Sequence, residues 1–92
     1  MRVAVNLPAS VGIDMLQGQV QHADLNSGTE TSLTAKLQAA QQSLAHGNLR
    51  AAANKLAAFA NEVRALKRTH ILADDLADLW LFEVDNIRAA LL

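Results

Sequence analysis

Residues 47–67 read GNLRAAANKLAAFANEVRALK, and the order of apolar side chains in this stretch decides the fold class. Leu49, Ala52, Leu56, Phe59, Ala60, Val63 and Lys67 recur at three- and four-residue steps, the spacing of one helical face, with Lys67 able to bury its stem and keep its amine in water. Gly47 tolerates the left-handed conformation that ends a preceding helix, and Asn48 offers a side-chain acceptor to the free N–H groups of the next. So short a connection makes the two helices antiparallel neighbours. The other side of the stretch is nearly as small, with Ala51, Ala58 and Ala65, and with Asn54 and Asn61 on one line. A helix with alanine around most of its circumference can be approached closely from two sides, so this one is expected at the centre of the molecule.

Upstream, Leu33, Leu37, Ala40 and Leu44 form a stripe with Lys36, Gln38, Gln41 and Gln42 turned away. That predicts a helix over 31–46, capped by Thr29 or Thr31 after a break at Leu25, Asn26, Ser27 and Gly28. Before it, Ile13, Leu16, Val20 and Ala23 mark a helix over 9–24 entered at Pro8. Gly12 and Gly18 weaken that helix by about 1 kcal/mol each relative to alanine. Downstream, Ala73, Leu76, Ala77, Trp80, Val84, Ile87 and Leu91 share a face, which predicts a helix over 72–91. No Gly or Pro interrupts Lys67 to His70, so this boundary rests on period and on charge. Arg64, Lys67 and Arg68 oppose the dipole at one helix end, Asp74, Asp75 and Asp78 oppose it at the next, and an antiparallel hairpin brings the clusters together. The expected fold is all-α, a small up-down bundle of four helices over 9–24, 31–46, 49–67 and 72–91. Residues 8–92 are the bundle domain. Residues 1–7, with the alternating Val3-Ala4-Val5-Asn6-Leu7, read as a tail or as a linker from a preceding domain.

Composition supports this class and narrows the function. The chain has 92 residues, enough for one core but not for a core and a deep cleft. Its apolar content of 51% is mostly Ala and Leu, which suits close-packed helices better than strands. Eight basic and nine acidic side chains leave no excess charge for a phosphate backbone or an anionic membrane, so no nucleic-acid partner is expected. No apolar run reaches the roughly 20 residues of a membrane span, and no cysteine is present for disulfide or thiolate chemistry.

Several groups invite a chemical role. His22, His46 and His70 fall at alternate poles of an up-down bundle, where each can complement the negative end of its own helix, so no metal site is expected. The carboxylates of Asp74, Asp75, Asp78, Glu83 and Asp85 lie in or beside an exposed stripe rather than in a desolvated cleft, and neither a catalytic site nor a cofactor site is expected. Asn54 and Asn61 either bond a neighbouring segment's backbone or are simply exposed. Phe82 is the anomaly. It lies about 160° from the centre of the last helix's core stripe, in line with Asp75, Asp78 and Asp85, and Leu79 and Leu81 are displaced by about 100° to either side. Leu79, Phe82 and Leu81, with Asp78 and Asp85, form the candidate interaction surface; the alternative is one isolated exposed aromatic beside two residues that flank the core.

Three segments in order, GTETSLTAKL (28–37), GNLRAAANKLAAFANEV (47–63) and LADDLADLWL (72–81), resemble the FIMAH domain. The family pattern has a Gly before SLLAKL, a GN or GD turn, AFINEV and an ADxLI step in the last helix. Here Ala60 stands in place of the usual Ile, and Thr69-His70 in place of a Gly-Lys pair. The resemblance implies a helical accessory module at the C-terminal end of a multidomain secreted bacterial protein, extracellular or in the cell envelope. The expected function is therefore a non-catalytic interaction or structural module that presents a rigid helical face to a protein partner. The partner would be a neighbouring domain, a second copy or a cell-envelope component. Alternatives are a module holding a small apolar or carbohydrate ligand between the first and last helices, where Gly12 and Gly18 leave room, and a stand-alone helical adaptor or regulatory dimer.

Overall fold

A computed structural model describes residues 9–91; the expected tail over 1–7 and the Pro8 entry lie outside the described residues. Four helices follow one another: α1 (Ala9–Gln21), α2 (Ser27–Ala45), α3 (Leu49–Arg68) and α4 (Asp74–Leu91). They pack in a ring, α1 on α2, α2 on α3, α3 on α4 and α4 back on α1, with no close backbone approach across either diagonal among the described residues. Bonds between Gln41 and Ser10, Ser32 and Glu62, Arg88 and Ala53, and Gln19 and Trp80 each join an early part of one helix to a late part of its neighbour. All four contacts are thus antiparallel, and the fold is an up-down four-helix bundle.

The ring corrects the expectation that the third helix lies at the centre. α3 buries more residues than any other helix, from Ala52 to Leu66, but it occupies a corner and faces only α2 and α4. Its alanines at 51, 58 and 65 are half-buried rather than covered by a further helix. The core lies between the four helices and takes Ile13, Leu16 and Val20 from α1, Leu33, Leu37 and Ala40 from α2, Leu56, Phe59 and Val63 from α3, and Ala77, Trp80, Val84 and Ile87 from α4. Phe59 and Trp80 meet at its middle with ring centroids 6.3 Å apart and planes tilted by 41°, within the range of favourable aromatic pairs. The stripes fail only at their ends. Leu49 and Ala73 are exposed, because the first residue of α3 and the residue before α4 lie beyond the last layer of the core. Leu72, outside any helix, is buried in their stead.

Two connections are tighter than their sequences announce. α2 begins at Ser27, not at 31, because the Asn26 carboxamide oxygen accepts the Thr29 N–H at 2.8 Å. Asn outranks Thr as an N-cap, and Gly28 is absorbed into the first turn. After α3, Thr69 is the C-cap and His70 takes the left-handed position with φ 63°. His70 N–H donates to the Lys67 carbonyl at 3.1 Å and Ile71 N–H to that of Leu66 at 2.9 Å, the paired bonds of a Schellman ending made without glycine. Gly47, at φ 75°, makes the same ending to α2, with Asn48 N–H on the Ser43 carbonyl at 2.8 Å. The Asn48 side chain then caps α3 by accepting the Ala51 N–H at 3.1 Å. α1 stops at Gln21, three residues short of expectation, where the chain turns through Asp24 at φ 59°.

Candidate interaction surface

The antiparallel pair of α1 and α4 determines which side chains are left outside. Gly12 lies so close to α4 that a Cβ added there would be 3.0 Å from both Cγ1 and Cδ1 of Ile87. The space expected beside Gly12 for a ligand is thus filled by Ile87, while Gly18 has nothing within 4 Å of such a Cβ and faces open space. Two turns from this approach, the buried indole of Trp80 donates from Nε1 to Oε1 of Gln19 at 2.9 Å, and Gln19 Nε2 donates to Glu83 Oε1 at 3.3 Å. This chain of bonds satisfies the only polar atom of Trp80 and ties the two helices together.

Outside this seam the surface turns apolar. Phe82 is 64% exposed and Leu79 45% exposed. Leu81, on the other flank, packs against the core and is not part of the ridge. Across the seam, α1 contributes Met15 at 50% exposure and Val11 at 38%. Both are rotated outward, by about 40–100°, from Gly12 and Gln19, the residues of α1 that meet α4. The remaining exposed large apolar residues among those described, Leu49 and Ile71, sit at opposite poles, so the exposed apolar side chains gather on the outer faces of α1 and α4, on either side of the groove between them. Val11 and Met15 are invisible from sequence periodicity, because nothing local says that the outer edge of α1 lies beside the outer edge of α4.

Charge is divided between the helices. α1 and α4 carry Asp14, Asp74, Asp75, Asp78, Glu83 and Asp85 against one cation, Arg88, which is turned toward α3 with Nε on the Ala53 carbonyl at 3.2 Å. α3 carries Arg50, Lys55, Arg64, Lys67 and Arg68 against Glu62. Among the described residues the expected meeting of basic and acidic clusters reduces to one ion pair, Lys67 with Asp78 at 2.6 Å. The hydrogen bond to Asp78, with the charges of Asp78 and Asp74 adding to it, holds the Lys67 amine above its ordinary pKa against the opposing effect of desolvation. Asp75 and Asp85 form no ion pair among the described residues, and both are exposed. A second polar cluster escaped the sequence reading: Lys36 pairs with Glu62 at 2.8 Å, and Ser32 Oγ donates to the same carboxylate at 2.8 Å, pinning α2 to α3.

The remaining sequence candidates stand apart from this groove. Asn61 accepts a bond from Arg64 of its own helix at 3.1 Å, and Asn54 is exposed; neither bonds another segment among the described residues. His22 sits at the end of α1 with Nδ1 2.8 Å from the Gly18 carbonyl, His46 caps α2 at the opposite pole, and His70 ends α3 back at the first. At the pole of His46 an open hollow of about 590 Å³ is bordered by Ala9, Gln41, Leu44, Leu49 and Leu91. Gln41 is already committed there, donating to the Ser10 carbonyl and to Asp14, each at 2.8 Å. No family model, curated protein or solved structure matches the chain.

Proposed function

We propose that this chain is a non-catalytic docking module that binds a protein partner through the outer groove between α1 and α4. The observation that carries the reading is the exposure of Phe82, the side chain most open to solvent among the large apolar residues described. An aromatic residue left in water while Phe59 and Trp80 are fully enclosed gains most from association, because the rigid bundle pays little ordering entropy to present it. The dispersal of the histidines to opposite poles and the solvation of the carboxylates support a module without chemistry of its own. The resemblance to the FIMAH domain supports a place beside other domains of a secreted bacterial protein.

Site-specific photo-cross-linking in the source organism tests this. A benzophenone side chain at position 82 or 15 is expected to give a discrete cross-linked protein, and one at the exposed Ala35 on α2 to give none. Absence of any product at both 82 and 15, with the protein folded and abundant, overturns the reading.

A further inference from the structure

The groove's occupant is legible in its charge. Phe82 has Asp78 and Asp85 one turn away on one side and Leu79 and Asn86 on the other, and Asp75 two turns away on its own line. Glu83 lies in the seam, and α1 brings no cation to this side of the bundle. The groove is therefore an apolar strip with an acidic border; among the described residues its one cation, Lys67, is bound to Asp78, and Asp75 and Asp85 are left without an ion pair. A second copy joined by a two-fold axis would bring the acid-bordered strip against itself, burying Asp75 and Asp85 with no cation of either molecule opposite them. A second copy offering its basic α3 would bring Asn54, Asn61 and alanines, and its one exposed large apolar side chain, Leu49, lies at the very start of the helix, away from Arg64 and Arg68.

Resting on the docking function above, we propose that the α1–α4 groove binds a short cationic amphipathic helix of a partner protein. Its apolar stripe lies along Val11, Met15, Leu79 and Phe82, and Lys or Arg residues beside the stripe reach Asp75 and Asp85. The register set by Gly12 against Ile87 and Gln19 against Trp80 places Val11 and Leu79 at the two ends of the strip. At about 1.5 Å per residue that span is about 14 Å, so the complementary helix is about three turns long. Two antiparallel helices offer a ready groove for a third, and apolar anchors at i, i+3 or i+4 and i+7 fit it. The contact is small, so it is of moderate affinity and exchanges readily.

Titration of the full chain with labelled 12-residue peptides, read by fluorescence anisotropy, tests the proposal. Three probes are used: a Leu/Lys peptide with one apolar face, a Leu/Lys peptide of the same composition scrambled to have none, and a Leu/Glu peptide with the first pattern. Saturable one-to-one binding of the first, at least tenfold tighter than either other, is expected. Phe82→Ser and Met15→Ser each weaken it about tenfold, Asp85→Lys weakens it and steepens no salt dependence, and Ala35→Ser leaves it unchanged. Equal binding of the scrambled or acidic peptide, or indifference to Phe82→Ser, overturns the proposal. So does a micromolar dimer in sedimentation equilibrium that Phe82→Ser dissolves. A cross-link at position 82 together with failure of the cationic peptide leaves the docking function standing and removes this occupant; loss of both removes both.

Discussion

Two glycines of α1, half a helix apart, are expected to respond to the same substitution in opposite directions. In a helix interior Gly→Ala is worth about 0.5–1 kcal/mol, because alanine surrenders less backbone entropy on folding. At Gly18 nothing opposes that gain, since an added Cβ meets no atom within 4 Å. Gly18→Ala should therefore stabilise by nearly the full amount. At Gly12 the same Cβ falls 3.0 Å from Cγ1 and Cδ1 of Ile87. Ordinary carbon–carbon contact is about 3.5–4.0 Å, so Ile87 must leave its rotamer or α1 must move away from α4. Overpacking of this kind costs about 1–3 kcal/mol, which exceeds the propensity gain. Gly12→Ala should therefore be neutral to destabilising by about 2 kcal/mol, and the two variants should differ by about 1–3 kcal/mol. For a domain of this size each kcal/mol moves the thermal midpoint by about 4–8 °C, so the difference is measurable by circular dichroism melts. Urea titration followed through Trp80 gives the same comparison in free energy. Ile87→Val removes the Cδ1 atom and should cost less in the Gly12→Ala background than in the wild type. If Gly12→Ala stabilises as much as Gly18→Ala, the close approach of α1 to α4 is refuted, and with it the groove.

Three further expectations follow from particular contacts. Phe82→Ala should leave the urea midpoint almost unchanged, whereas Phe59→Ala, at the fully buried centre of the core, should cost about 3–5 kcal/mol; comparable losses would place Phe82 inside. Gln19→Leu removes the acceptor of the Trp80 indole and should cost about 1–3 kcal/mol in the same titration, with a shift in indole emission. His70→Gly relieves a left-handed residue that carries a Cβ and should raise stability by about 1–2 kcal/mol, while a loss would show that the His70 side chain supports the turn.

The sequence carries the four helices because each buries a stripe wide enough to recognise, and it carries the α2–α3 turn because Gly47-Asn48 joins the two residue types best suited to end and restart a helix. It is silent where one residue does an uncharacteristic task. His70 closes α3 in a conformation that glycine usually takes, so no breaker marks the boundary. Asn26 caps α2 from within what reads as a loop, ahead of two threonines that look equally able. Leu49 fits the stripe of α3 by period, yet the bundle ends before the stripe does. The exposure of Phe82 follows from one helix alone and was legible. The partnership of Phe82 with Met15 and Val11 follows from which helices are neighbours, which no single helix encodes.

The ring of helices also brings the two ends of the described chain together. Ala9 at the start of α1 and Leu91 at the end of α4 border the same hollow, so entry and exit lie side by side at one pole. An engineered insertion of the bundle into a loop of another protein through these two ends should therefore leave the flanks of that loop scarcely separated. By the same geometry a short bridge from Leu91 to Ala9 and a cut between Gln21 and Ser27 give a permuted order, α2–α3–α4–α1, with every helix contact retained.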